Sequence, residues 1–395
     1  MSTELELNKE VFEETRYSRL ELIPWWNQET LRNATVMVVG AGAIGNELIK
    51  NLALLGIGKI VIVDMDKIEQ TNLTRSVLYR MKDVGKYKSE AAAEAAMEIN
   101  PDVKAIYLNR NIVTDIGLGV FRNMDIVLGG LDNREARLAI NQACYRVNKP
   151  WIDGAIEVLN GFARVFMPPG PCYECTMTET DWKLINKRKS CALLTHDQML
   201  EGKTPTTPTS SSVIAGIQVQ EMLKILHSDR NLPTLAGKGY VFNGLTHDSF
   251  VVEYQLKDDC MSHDLYEDIK TTGWSARTLT IKDMLKQVEA DLGEGALIEF
   301  DRDIATVATC TCGHKKDIYT TVNRLRGADI VCDECGKAMQ FETVHTINGT
   351  EDFLDKTLFE IGIPLYHIIA ARKGMNYKYY ELSEDKEEVL GGLFK

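Results

Sequence analysis

No apolar run in the 395-residue sequence approaches the roughly 20 residues needed to cross a bilayer, so a membrane-spanning protein is not expected. The opening, MSTELELNKEVFEE, lacks the basic and then apolar order of a secretory signal, and a cytoplasmic protein is expected. A basic excess is also missing: 45 Lys+Arg against 57 Asp+Glu leave a net charge of −12. That balance argues against nucleic acid or an anionic membrane as a partner, because both require a basic face. There is neither a long polar tract nor an internal repeat, which excludes wholesale disorder. With 44% apolar and 26% charged residues the chain has material for a sizeable core, and its length suggests two or three domains at about 150 residues each.

Residues 8–32 read as a helical lead-in broken near Pro24. Apolar runs at Val36 to Val39, Ile60 to Val63 and Ile126 to Leu128 then alternate with helix-like segments. This is βαβ patterning, hence an α/β domain with a Rossmann-like, mixed but largely parallel sheet. Periodicity fades over about 176–208 in a Lys- and Thr-rich stretch ending KTPTTPTSSS, read as a functional loop. VIAGIQVQEMLKIL, YVFNG and FVVEYQL complete a first domain, 1–275. The remainder, 276–395, opens with an apolar helical stripe at Ile281, Met284, Leu285, Val288 and Leu292 and reads as a small α+β domain.

Gly40-Ala41-Gly42-Ala43-Ile44-Gly45 follows a buried strand and opens a helix, and Asp64 ends the next strand. Glycines let the backbone approach phosphate, a helix N-terminus attracts its charge, and an acid at that distance suits a ribose hydroxyl. A dehydrogenase would share this much. The next residues favour a nucleoside triphosphate instead: Asp64, Asp66, Asn72 and Arg75 come together with Lys88 following, and Arg and Lys converging beyond the ribose suit the charge of a leaving pyrophosphate. Asp132, after the strand DIVLGG, lies at a strand C-terminus and suits Mg²⁺, which binds through one or two carboxylates plus phosphate oxygens.

From RYSR through GAGAIGNELIKNLALLG, DMDKIEQTNLTR, KYKS, LDN and the first cysteine pair to TPTTPT, the chain resembles the E1-like adenylating enzymes. That family includes the ubiquitin-activating enzymes and the bacterial MoeB and ThiF proteins. The resemblance implies that Asp64 holds the ATP ribose, that Asn72, Arg75 and Lys88 meet the phosphates, and that Asp132 holds magnesium. It also implies that Arg19 reaches across a homodimer interface to the partner's ATP. Ser76 and Leu131 stand where the family commonly has Gln and Thr.

In a reducing compartment nine cysteines point to metal or nucleophilic use. Cys172-x-x-Cys175 with Cys260-x-x-His263 makes a Cys₃His zinc set; the family usually has Cys at the last place. Cys310, Cys312, Cys332 and Cys335 form a second set, a zinc ribbon over about 308–338, with His314 as a fifth candidate. Both sites would be structural, because closed coordination leaves no position for substrate. Cys144 reads as a buried small hydrophobe. Cys191 is left unpaired after Lys187, Arg188 and Lys189, cations that favour a thiolate. In the resembling enzymes a cysteine in this region takes the activated carboxyl group as a thioester.

LTIKDMLKQVEADLG, LDKTLFEIGIPLYHIIAARKG and NYKYYEL resemble the ubiquitin-fold domain that closes ubiquitin-type E1 enzymes and recruits the E2 conjugating protein, here interrupted by the zinc ribbon. Together the resemblances imply ATP-dependent activation of a ubiquitin-like protein ending in glycine, thioester formation on Cys191 and transfer to an E2. The alternatives are a sulphur-carrier activator that stops at the adenylate or thiocarboxylate, and a non-catalytic scaffold like the inactive halves of heterodimeric E1 enzymes.

Overall fold

A computed structural model describes residues 14–183 and 205–394; Cys191 and residues 184–204 of the expected loop lie outside the described residues. The first sheet has eight strands in the order β3-β2-β1-β4-β5-β6-β7-β8. They are β1 Thr35–Val39, β2 Lys59–Val63, β3 Lys104–Leu108, β4 Ile126–Gly130, β5 Trp151–Glu157, β6 Asn160–Phe166, β7 Lys238–Asn243 and β8 Asp248–Glu253. β3 to β5 in that order run parallel, and β5 to β8 pair antiparallel, so the sheet is mixed as expected.

Alternation along the central strands explains why both faces are covered. Val36 and Val38 of β1, Ile60 and Ile62 of β2 and Leu128 of β4 bury against one face, together with Leu48, Leu52, Ala92, Ile214 and Met222 from the helices Ala43–Leu55, Lys88–Ile99 and Pro208–Leu226. Met37, Val39, Val61, Val63 and Val127 bury against the other, with Leu138, Ile140 and Cys144 of the helix Arg134–Arg146. Cys144 is 1% exposed, as its reading as a hydrophobe requires. Continuous apolar strands of this kind are the signature of a sheet buried on both sides.

The second sheet contains β9 Lys270–Thr272, β10 Leu297–Thr309, β11 Lys315–Thr321, β12 Gln340–Ile347, β13 Ile368–Lys373 and β14 Asn376–Leu382. Their order is β11-β10-β13-β14-β9, with β12 also on β10. β9 precedes residue 276 yet belongs here, because it pairs parallel with the last strand, β14. The expected stripe forms the helix Ile281–Leu292, capped by the Thr280 side chain on Asp283 N, with Ile281, Met284, Leu285 and Val288 buried. The element is therefore a small α+β unit beside the large sheet. No described helix is long and apolar enough to cross a membrane.

The two units share one core, and a buried polar knot crosses the seam. His367 Nδ1 accepts from Leu118 N at 3.1 Å, so the ring's proton sits on Nε2, which faces Asp301 Oδ1 at 3.2 Å. Asp301 also meets Arg302 at 2.9 Å and Arg146, of the first unit, at 3.3 Å. Burial would raise this carboxyl, but Arg302, His367 and Arg146 outweigh it and hold Asp301 well below the carboxylate range. Burial lowers His367, against the pull of Asp301, and keeps the imidazole neutral. Asp301 contributes stability that is present above its unfolded value of 3.8 and is lost as pH falls through its lower folded value. For His367 the loss begins earlier: below 6.5 the unfolded chain takes up a proton that the folded chain refuses. Melting temperature should therefore fall as pH drops from about 7 to about 5, and His367→Gln, which cannot protonate, should flatten that slope in differential scanning calorimetry; an equal slope in the variant would contradict this role.

Candidate nucleotide site and metal centres

β1 and β4 are neighbours whose connections leave in opposite directions, so their carboxyl ends flank the crevice where open α/β sheets bind ligands. The glycine turn leaves β1 there and Asp132 follows β4. Gly40 has φ +89°, and a Cβ on it would lie 2.6 Å from the Gly130 carbonyl oxygen. A Cβ on Gly45 would fall 1.9 Å from the Gly40 carbonyl oxygen. Gly42, at the cap of the helix Ala43–Leu55, has no protein atom within 4 Å of a built Cβ, so it leaves open space where a phosphate can approach the helix N-terminus.

Asp64 Oδ2 accepts from Ala41 N at 2.7 Å and its Oδ1 from Asp66 N at 2.8 Å, which ties the end of β2 to the turn. Burial raises this carboxyl, while Lys88 and the two backbone donors lower it. Lys88 begins the helix Lys88–Ile99 and pairs with the exposed Asp66 at 2.8 Å. Asn72 accepts from Glu69 N at 2.9 Å, and Arg75, half-buried, donates to Thr71 O at 2.9 Å. Asp132 is exposed; its near neighbour is the Asn133 amide at 3.5 Å, and it forms no ion pair among the described residues. In RYSR, Arg16 donates to Ile99 O at 2.8 Å, Tyr17 is buried and Arg19 is exposed. The structure thus ties the glycine turn through Ala41 to Asp64, and Asp64 through Asp66 to Lys88, whereas the contacts of Asn72 and Arg75 stay within their own segment and Asp132 follows the neighbouring strand β4.

Two members of the site escaped the sequence reading. The buried Tyr79 hydroxyl donates to Ala41 O at 2.6 Å and lies 3.1 Å from Lys88 O, bridging the turn and the Lys88 helix. Asn46 donates to Ala41 O at 2.8 Å and accepts from Leu78 N at 2.9 Å. A polar Asn directly after the last glycine of the turn, ahead of the apolar Leu48, Ile49 and Leu52, was the available signal.

Both cysteine sets converge, each with its ligand atoms within 4.8 Å of one another. In the first, Cys172 lies 3.7 Å from Cys175 and 3.5 Å from Cys260, and Cys175 Sγ is 3.3 Å from His263 Nε2. Tetrahedral zinc with thiolates at about 2.3 Å spaces its sulfurs by about 3.8 Å, so this donor set fits the ion. His263 is lowered by burial and so offers a neutral ring nitrogen. In the second, Cys310 lies 3.3 Å from Cys335 and Cys312 3.6 Å from Cys332. His314 stands apart, 3.3 Å from Glu334.

A sequence profile described as "ThiF family" matches residues 15–262, more than half of the chain and the span that carries the glycine turn, Arg75, Lys88, Asp132 and the three cysteines of the first metal set. The chain belongs to the ThiF family. It is 31% identical over 255 residues to ubiquitin-like modifier-activating enzyme 5 of Dictyostelium discoideum, covering 58% of this chain and 64% of that protein. It is 35% identical over 169 residues to the sulfur carrier protein adenylyltransferase of Thermus thermophilus, covering 40% of this chain and 62% of that one. Among solved structures, E. coli MccB with ATP superposes with a TM-score of 0.53 and 26% identity over 64% of this chain and 75% of that chain. The chain spans less than two thirds of the length of the curated relatives it matches first. The match supports the recognition of an E1-like member with a Rossmann-like adenylation fold.

Two outcomes follow from this geometry. Gly45→Ala should cost about 1–3 kcal/mol in urea denaturation, whereas Gly42→Ala should leave stability unchanged and weaken ATP binding tenfold or more by calorimetry; equal ATP affinity in Gly42→Ala would place the nucleotide elsewhere. Elemental analysis of the purified chain should find two zinc ions, with Cys260→Ser and Cys332→Ser each reduced to one, and a single zinc in the unaltered protein would remove one centre.

Proposed function

We propose that this protein activates the C-terminal carboxylate of a ubiquitin-like protein by adenylation. The observation that carries the reading is the open face at Gly42, flanked by Asp64 and Lys88 on one side of the β1/β4 crevice and by an exposed Asp132 on the other. A carboxylate oxygen of the partner's terminal glycine attacks the α-phosphorus of ATP, the bond from that phosphorus to the bridging oxygen breaks, and pyrophosphate leaves. Asp64 orients the ribose. Asn72, Arg75 and Lys88 receive the charge that develops on the phosphates, a role for which preorganised donors are worth several kcal/mol. Lys88 must exchange Asp66 for phosphate, a change of partner that its exposed acid makes inexpensive. Asp132 would hold Mg²⁺ against the phosphate oxygens, where the ion supplies charge neutralisation. Arg19, exposed on its own chain, is free to serve the ATP of a second copy in a homodimer.

The acyl adenylate is a mixed anhydride primed for substitution. Cys191 thiolate attacks its carbonyl carbon, AMP leaves, and the resulting thioester passes to an E2-like protein. The 276–395 unit is proposed as the E2-recruiting, ubiquitin-fold-like element; its support is a helix across a sheet whose first and last strands, β9 and β14, pair in parallel. Likeness to the Thermus sulfur carrier protein adenylyltransferase favours a second reading, in which the reaction ends at the adenylate or a thiocarboxylate without a cysteine adduct.

Cys191→Ala separates the two. With ATP, magnesium and candidate ubiquitin-like partners, the variant should retain ATP–pyrophosphate exchange and lose a thiol-sensitive protein adduct seen with the unaltered chain. No such adduct in the unaltered chain would leave the second reading standing, and exchange abolished by Asp132→Asn or Arg75→Ala, by at least 100-fold, is expected under both.

A further inference from the structure

The helix Arg134–Arg146 carries a polar stripe at four-residue spacing, and each member reaches a different part of the molecule. Asn133, its cap, accepts from Ala136 N at 2.7 Å directly after Asp132. Arg137, 7% exposed, donates from Nη2 to the Leu131 carbonyl at 2.5 Å, on the other side of Asp132, and pairs through Nε with the fully buried Asp153 at 2.8 Å. Asn141, 1% exposed, accepts at Oδ1 from Tyr173 N at 2.7 Å and from Trp151 Nε1 at 3.3 Å. Tyr145 stacks on the His263 ring at 4.7 Å and 22°, and its hydroxyl donates to Pro169 O at 3.2 Å. The loop of Asp132 thus hangs from one end of the helix, and the first cysteine set rests on the other.

One atom in this stripe has no partner. Asn141 Nδ2 is buried and makes no hydrogen bond among the described residues. A buried amide donor left unpaired is costly, and its presence asks for an acceptor. Asn141 Oδ1 already holds the backbone of Tyr173, which fixes the amide beside Cys172. A thiolate fixed on a metal ion is the acceptor this position lacks.

We propose that Asn141 is a positioning residue of the first metal centre, donating from Nδ2 to the Cys172 thiolate when the metal is bound, and that through this helix the metal's occupancy sets the seating of Asp132. The ion draws Cys172 and His263 onto Asn141 and Tyr145, one and two turns from Arg137. Arg137 then holds the Leu131 carbonyl, and with it Asp132, in register. Without the ion, Asn141 must seek another acceptor, the helix loses its anchor, and the grip on Leu131 loosens. The second half of the proposal rests on the adenylation reading; the first half does not.

The test uses the full chain loaded with cobalt or zinc at both centres. Asn141→Asp keeps an acceptor for Tyr173 N and Trp151 but replaces the donor with a carboxylate. Its thiolate-to-cobalt charge-transfer band should shift, and one of the two zinc ions should leave to a chelator 10–100-fold faster, while the other, on Cys310, Cys312, Cys332 and Cys335, leaves at the usual rate and reports an intact fold. An unchanged band and unchanged release of both ions would overturn the positioning role. The coupling needs no variant: the unaltered chain stripped of the first zinc should require at least fivefold more magnesium for half-maximal pyrophosphate exchange, and an unchanged requirement would overturn it. If the unaltered chain shows no exchange at all, the adenylation reading fails, while the cobalt spectrum still decides Asn141.

Discussion

Everything at the candidate site depends on how closely the chain can pass the end of β4 as it leaves β1. Gly40 packs against the Gly130 carbonyl, and Gly45 packs against Gly40, at separations that no side chain permits. That approach sets the helix Ala43–Leu55 with its N-terminus at the mouth of the crevice, and it brings the Ala41 amide within reach of Asp64. Tyr79 and Asn46 then bind the same Ala41 carbonyl and draw the 72–80 segment, with Arg75, toward the turn. A backbone constraint of two glycines therefore gathers side chains that are distant in sequence, and the charge chemistry follows from their convergence.

Beside the apolar core that the two units share, charges buried between elements fix the rest of the molecule. Asp153 lies under both Arg137 and Arg164, and Asp301 under Arg146, Arg302 and His367. Removing one partner from such a buried set typically costs about 3–5 kcal/mol, because it leaves an uncompensated charge. Arg137 and Arg146 belong to the same helix, so that single element is fixed to the sheet at one end and to the small unit at the other. This makes the helix a rigid link among the Asp132 loop, the first metal set and the second sheet.

Much of this was legible in the sequence because the chemistry is local there. The glycine turn, the strand that ends at Asp64, the Lys88 helix start and the Cys-x-x-Cys pairs each occupy a few consecutive residues. The stripe from Ile281 to Val288 announced its helix by spacing alone. Spacing also offered His314 as a ligand, and only the fold shows it turned toward Glu334. Contacts between distant segments left no trace: the knot of His367 with Leu118 and Asp301, the Tyr79 bridge and the orphan Asn141 amide all depend on tertiary placement. β9 was hidden for a simpler reason, since three residues carry too little alternation to be read as a strand, and it exists because β14 offers an edge.

The central claim is that the cations beyond the glycine turn are placed to handle a triphosphate. The most direct measurement is a crystal structure of the full chain with magnesium and a non-hydrolysable ATP analogue. The account predicts the phosphates over Gly42, the Lys88 ammonium moved from Asp66 to a phosphate oxygen, Arg75 within hydrogen-bond distance of the phosphates, and the metal on Asp132. A nucleotide bound elsewhere, or bound at the turn with Lys88 still on Asp66 and Arg75 pointing into solvent, would contradict it.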